Sequence, residues 1–317
     1  MSRQAIAHPN IALVKYWGKR DLELNLPAVS SLSLTLDGFR TVTTVERSSS
    51  DAVFVGPARA SDRFAARALR FLDTLVPGRP PVVVKTESNF PAGAGLASSA
   101  SGFAALTLAA AATFDQDLSL QRLSAWSRRG SGSACRSFWG GFVVWDRGTR
   151  ADGSDSHGHP LAPREHWDVA MVVAIVATGP KAVGSTEGME RSRQTSAYYE
   201  QWVATAEADV AEGREAVLAR DLDRLGAVME SSTLKMHATM HTARPPILYW
   251  QAGTVACLHA VAGLRDSGTS AWATMDAGPQ VKVLCAASDA ETVRDALAPH
   301  AAAVHILRPG SGARLVP

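Results

Sequence analysis

One stretch constrains this chain more than any other: FPAGAGLASSASGFAAL, residues 90–106. It has almost no side-chain bulk. Gly93 and Gly95 can take positive φ and let a ligand lie against the backbone. Ser98, Ser99 and Ser101 follow within a few positions, and Ala100, Gly102, Ala104 and Ala105 then open an apolar run. The preceding PPVVVKTES reads as a strand, so the unit is strand, glycine-rich turn and helix start. A helix beginning near Ser98 offers unpaired backbone N–H groups and the positive end of its dipole, which suits a phosphate. The serine hydroxyls add donors, and the small residues let the helix pack close behind. A glycine-containing turn capped by serine before a buried helix fits the same composition. No G-x-x-x-x-G-K-[ST] string occurs, so this is not a Walker motif.

The 317 residues suggest about two domains. Hydrophobic residues make up 46% and charged ones 20%, which argues for a large core and against disorder. A net charge of +2 argues against a polybasic nucleic-acid binder. Cys135, Cys257 and Cys285 show no paired spacing, which points to a reducing compartment rather than a disulfide framework. The first ten residues, MSRQAIAHPN, lack the apolar core of a signal peptide. The most apolar run, VAMVVAIVATG at 169–179, is too short to span a bilayer and reads as a buried strand. A cytoplasmic protein without membrane or nucleic-acid partners is expected.

Strand-like and helix-like segments alternate along the whole chain, so an α+β fold in two halves is expected. NIALVKYWGK, 10–19, reads as one strand; SDRFAARALRFLDTLVPG reads as a helix with Ser61 at its cap. SDAETVRDALAPH carries a capping box, Ser288 with Glu291. The polar segment 149–166 divides the chain into residues 1–165 and 166–317. His157 and His159 lie in that segment with no further ligand cluster, so they read as a solvated loop rather than a zinc site.

PAGAGLASSASG resembles the phosphate loop of the galactokinase, homoserine kinase, mevalonate kinase and phosphomevalonate kinase (GHMP) superfamily. NIALVKYWGKRD…LNLPAVSSLSLTLD, SRRGSGSACRSFWGGFVVW, GSTEGMERSRQTS, KMHATM and MDAGPQ occur in that order. Together they resemble the diphosphomevalonate decarboxylase family over residues 10–280, nearly the whole chain. The resemblance implies two lobes: an N-terminal ATP-binding lobe with the phosphate loop, and a ferredoxin-like C-terminal lobe. The implied activity uses ATP to phosphorylate a tertiary alcohol of mevalonate 5-diphosphate. Phosphate then leaves with carbon dioxide, giving isopentenyl diphosphate. Decarboxylation of mevalonate 5-phosphate, or simple phosphorylation of the tertiary hydroxyl, are the alternatives.

Residue by residue, the resemblance implies Asp276 as the base or orienter of the hydroxyl, although alone it also reads as a turn-forming aspartate. Arg136 matches the arginine that holds the substrate carboxylate, a task for two parallel hydrogen bonds. Tyr16 and Lys19 match contacts to the substrate diphosphate and the catalytic aspartate, with Gly18 expected to bend the strand so that both reach one site. Without the resemblance, VKYWGK reads as an amphipathic edge strand with solvated lysines. Asn10 matches an orienting position, and Ser133, Thr195 and Ser196 match substrate-contacting hydroxyls. Gly93, Gly95, Leu96, Ala97, Ser98, Ser99, Ser101 and Ser131 match the ATP site, with Ser99 the expected ligand of the Mg²⁺ carried in with ATP. Gly130 and Gly132 are expected to keep the backbone open. Ala197 stands where some relatives have a basic residue. Lys235 and His237 read as structural or peripheral. A homodimer is also implied.

Overall fold

A computed structural model describes residues 2–90, 98–179 and 181–317. Among the described residues, two large sheets belong to the first half of the chain, besides a two-stranded ribbon of Lys19–Asp21 and Leu26–Pro27. One has six strands in the spatial order Arg314–Val316, Ser2–Ala7, Thr41–Arg47, Val82–Ser88, Ala52–Val55, Ala58–Arg59. The other has four, in the order Gly158–Ala162, Phe142–Trp145, Ser31–Thr35, Asn10–Val14. The last strand of the chain thus returns to pair with the first, Gln4 opposite Val316.

The helix Ser98–Thr113 is buried on most of its circumference, as its alanine run requires. Phe103, Leu106, Ala109 and Ala110 meet Ala5, Val45 and Val84 of the six-stranded sheet and Phe71 and Leu72 of the helix Asp62–Leu75. The latter helix matches its expected span, but Ser61 occupies the cap position without a side-chain capping bond.

The third sheet has the order Ala271–Met275, Val281–Ala286, Val169–Ile175, Ala303–Leu307, antiparallel throughout. With the helix Ala252–Asp266 leading into Ala271–Met275 and the helix Ala290–Leu297 leading into Ala303–Leu307, this is the expected ferredoxin-like arrangement. The expected capping box is not formed. A short 3₁₀ turn, Ala287–Asp289, precedes the last helix, and Ser288 donates to the side chain of Asp289 instead.

The run Val169–Ile175 is apolar because both its faces are covered. Val169, Met171 and Val173 enter a core shared with Leu32, Leu34 and Phe142 of the first half, whereas Ala170, Val172 and Ala174 pack with Cys257, Val261 and Val293. That shared core joins the two halves. The helices Tyr199–Ala219 and Leu222–His241 lie over the junction, with Val210, Leu225, Val228 and Met229 in the same core.

Candidate active site

The site forms where the strand Asn10–Val14 meets the end of the strand Ala271–Met275. Alternation places Trp272, Thr274 and Asp276 on one face of the third sheet. Lys282 lies opposite Thr274 in the neighbouring strand and shares that face. The chain turns directly after the aspartate, with Gly278 N–H donating to Asp276 O at 2.7 Å. Asp276 is held from both sides: Lys15 Nζ lies 2.7 Å from Oδ1, and Lys282 Nζ 3.0 Å from Oδ2. The two lysines are 1% and 0% exposed, and the aspartate side chain is 26% exposed. Burial alone would raise the Asp276 carboxyl, but the charges and hydrogen bonds of Lys15 and Lys282 hold it well below the usual carboxylate range. Burial pushes Lys15 down to about 8 despite its partner.

Lys15 reaches Asp276 because its strand does not run on to residue 19 as expected. The pairing register slips between Ala12 and Val14, and the strand ends at Val14. Lys15 then turns inward, donating from its backbone N–H to Ser232 Oγ at 3.0 Å and from Nζ to Ala12 O at 2.8 Å. Gly18 follows with φ +101°, and a Cβ there would fall 1.9 Å from the hydroxyl of Tyr199. That left-handed residue sends Lys19 the other way, to 3.5 Å from Thr186 Oγ1 and into the fields of Arg67 and Glu190. The lysine on the aspartate is therefore Lys15, where Lys19 was expected, and the solvated reading of Lys15 is also wrong.

Arg136 is 2% exposed. Its Nε donates to Asn10 Oδ1 at 3.1 Å and its Nη1 to Ser31 Oγ at 2.6 Å, with its guanidinium carbon 5.6 Å from the centre of the Trp145 ring. Among the described residues no carboxylate lies within ion-pair distance of it. Asn10 is fixed in turn by donating to Ser133 O at 2.9 Å and Ser137 Oγ at 2.8 Å. A buried cation braced by neutral oxygens is a built receptor for an anion.

Tyr16 packs on Trp145 with ring centres 4.7 Å apart. A Cβ on Gly132 would approach the Tyr16 hydroxyl to 2.9 Å, and one on Gly130 would meet Phe103 at 2.1 Å. These two glycines make room for aromatic rings rather than exposing backbone, as had been expected. Cys135 is buried, with its thiol pushed up to about 12 by burial, in line with a packed role.

At the phosphate-loop end, Gly93, Gly95, Leu96 and Ala97 lie outside the described residues. Ser98 begins the long helix, and the exposed Ser99 accepts a hydrogen bond from Ser131 Oγ at 3.2 Å. Ser101 points elsewhere: it is fully buried, 2.8 Å from Thr41 Oγ1, and serves packing. Thr195 and Ser196 sit at the end of the helix Ser185–Thr195. Thr195 Oγ1 accepts from Arg244 N–H at 2.8 Å, and Ser196 Oγ lies 2.7 Å from Thr242 Oγ1. Those bonds tie the helix end to the 240s turn and do not bring either hydroxyl to Asp276. Lys235 pairs with Asp209, a peripheral role. His159 lies 3.3 Å from Asp146, and no three-residue His, Cys, Asp or Glu group suited to a metal occurs among the described residues.

Three lysines were missed in the sequence: Lys15, Lys282 and Lys181. Lys181 Nζ donates to Ser185 Oγ at 2.8 Å and Ala277 O at 2.9 Å, and lies in the field of Asp276. The available signal was a lysine inside an otherwise apolar strand, as in VKVLC, which has no water to reach.

Comparison with known proteins bears on this geometry. Residues 7–158 match the family described as "Diphosphomevalonate decarboxylase-like N-terminal domain", and residues 171–306 match "Mevalonate 5-diphosphate decarboxylase C-terminal domain". A diphosphomevalonate decarboxylase of Gibberella zeae is 37% identical over 309 residues, 90% of this chain and 81% of that one. The human diphosphomevalonate decarboxylase is 36% identical over 329 residues, covering 95% and 80%. Among solved structures, "MDDEF in complex with MVAPP, AMPPCP and Magnesium" superposes with a TM-score of 0.93 at 37% identity, over 100% of this chain and 99% of that one. The mevalonate diphosphate decarboxylase from Staphylococcus aureus also gives 0.93, at 33% identity, over 100% and 98%. With both halves matched in order and about four fifths of each curated relative covered, the chain belongs to the diphosphomevalonate decarboxylase family.

Proposed function

We propose that this chain catalyses the ATP-dependent decarboxylation of mevalonate 5-diphosphate to isopentenyl diphosphate, ADP, phosphate and carbon dioxide. The observation that carries this reading is the pairing of Asp276 with two buried lysines beside the buried guanidinium of Arg136, which has no carboxylate partner among the described residues. Lys15, Lys282, Lys181 and Arg136 set four cations against one carboxylate, a balance suited to a multiply anionic substrate.

In this reading Asp276 accepts the hydrogen bond of the tertiary hydroxyl and aims its oxygen at the γ-phosphoryl group. A carboxyl held so far below its usual range is a weak base before transfer, so its first task is orientation. Such late proton loss suits a loose phosphoryl-transfer transition state. Arg136, braced by Asn10, grips the substrate carboxylate. After phosphorylation the carbon–carbon bond to that carboxylate breaks and its electrons form the new double bond. The carbon–oxygen bond to phosphate breaks with them. Tyr16, Lys19, Ser133, Thr195 and Ser196 form the substrate-binding set, and Ser98, Ser99 and Ser131, with Gly93, Gly95, Leu96 and Ala97, the ATP set. The exposed Ser99 hydroxyl at a helix start is a hard oxygen donor, which fits magnesium. Mg²⁺ bound with ATP would neutralise phosphate charge there.

The proposed division runs at 165/166, the first part binding ATP and the second supplying Asp276. A homodimer in the cytoplasm is the reading that the family resemblance supports; light scattering tests the first part of it. The reaction is tested by offering Mg²⁺-ATP with mevalonate, its 5-phosphate or its 5-diphosphate and following ADP and carbon dioxide together. Equal release from the diphosphate alone is expected. Equal release from the monophosphate alone would move the specificity, with Ala197 the first residue to examine. ADP without carbon dioxide would make the chain a kinase.

A further inference from the structure

The helix Leu222–His241 and the strand Ala271–Met275 run side by side in the same direction, and their contacts climb together. Asp223 Oδ1 accepts from Ser270 Oγ at 2.6 Å and Trp272 Nε1 at 3.3 Å. Gly226 lies against the Trp272 indole, where a Cβ would come within 2.0 Å. Glu230 Oε1 accepts from Ala273 N–H at 3.3 Å, and Thr233 Oγ1 is 3.0 Å from Thr274 Oγ1. One helical turn beyond Thr233 is His237. Two residues beyond Thr274, on the same face, is Asp276.

His237 is 1% exposed. Trp250 Nε1 can only donate, and it lies 3.0 Å from His237 Nδ1. Nδ1 is therefore the acceptor, and the ring proton sits on Nε2. Nε2 is buried and has no hydrogen-bond partner among the described residues. The charged groups around the ring are Lys15, Asp276 and Lys282, with the neighbouring imidazole of His241, whose ring centre is 5.9 Å away. Burial, then Lys15, push the His237 pKa down to about 3, so the ring stays uncharged.

We propose that His237 is a positioning residue of the reaction: its Nε2–H, fixed by Trp250, is an uncharged third donor that aligns the Asp276 carboxylate once substrate is bound. A third cation would depress the basicity of Asp276 further, whereas a neutral donor gives direction without charge. This replaces the peripheral reading of His237, and it rests on the proposed reaction.

The test begins with wild-type protein that turns over mevalonate 5-diphosphate, so failure of that reaction shows before any variant is compared. His237→Phe keeps a ring and loses the donor; His237→Gln places an amide N–H near the Nε2 position. The Phe variant should lose ~10²-fold in kcat with both KM values nearly unchanged, as for a lost alignment, and the Gln variant should recover most of it. Wild-type kcat in the Phe variant, or a Gln variant as slow as Phe, overturns the proposal. If the Phe variant does not fold, ring-¹⁵N-labelled wild-type protein decides. The Nε2-protonated neutral ring should persist to about pH 5, below the ~6.5 of an ordinary imidazole, and its Nε2 signal should move on saturation with substrate. A ring that titrates normally, or an Nε2 signal that substrate leaves in place, overturns it.

Discussion

Lys15→Met should abolish most turnover while leaving the fold nearly as stable as before. Lys15 is 1% exposed and 2.7 Å from Asp276. Breaking a buried ion pair from one side usually costs ~3–5 kcal/mol. Two features offset that cost here. Burial outweighs the attraction of Asp276 and lowers Lys15 from 10.5 to about 8, so keeping it charged at neutral pH opposes folding. Methionine removes that opposition and fills much of the same space. Asp276 keeps Lys282 at 3.0 Å, so its charge is not left uncompensated. Tm should therefore shift by only a few degrees, at ~2–4 °C per kcal/mol or less for a chain of this length.

Activity should respond differently. Lys15 is charged below about pH 8 and neutral above it, so wild-type kcat should fall as pH rises through about 8. Stability at this position has the opposite slope: between about 8 and 10.5 the unfolded chain holds the proton that the folded chain has released, so stability rises with pH there. In Lys15→Met, kcat should drop ~10²-fold or more and the alkaline limb near 8 should vanish. Thermal unfolding and kcat–pH profiles on the same preparations check both halves. Retained turnover, an unchanged alkaline limb, or a Tm loss above ~10 °C would each refute the reasoning.

Asp276→Ala should keep nucleotide binding, read by displacement of a fluorescent ATP analogue, and lose nearly all turnover. Asn10→Ala should unbrace Arg136 and raise the substrate KM ~10-fold, with a smaller effect on the KM for ATP, since a hydrogen bond to a charged group is worth ~1.5–3 kcal/mol. Lys19→Met should raise the KM for the phosphorylated substrate yet leave the alkaline limb in place, separating its role from that of Lys15. Gly18→Ala should destabilise by ~3 kcal/mol or more in urea titration, because φ +101° and the Tyr199 hydroxyl both exclude a Cβ.

Much of this was legible in the sequence because it depends on local pattern. The buried strand at 169–175 followed from its unbroken apolar run, and the helix Asp62–Leu75 from its periodicity. Asp276 and Arg136 were legible as motif positions, and each lies where an anionic substrate could be handled. What escaped was the set of partners, since these are made by chain segments far apart. Lys15 and Asp276 are separated by 261 positions, and a register slip no propensity encodes turns Lys15 inward. Period-two reasoning assigned opposite faces to residues 16 and 19, but the strand had already ended. Lys282 hid in plain alternation: Val281, Val283 and Cys285 fill one face, and the other face, which also carries Leu284, is buried too. In a strand covered on both sides, a lysine has no route to water and needs a carboxylate, and Asp276 is the residue that supplies one. That rule, applied to VKVLC and ALVKY, would have named both lysines without any coordinates, and it makes them obligate companions of the aspartate rather than surface charges.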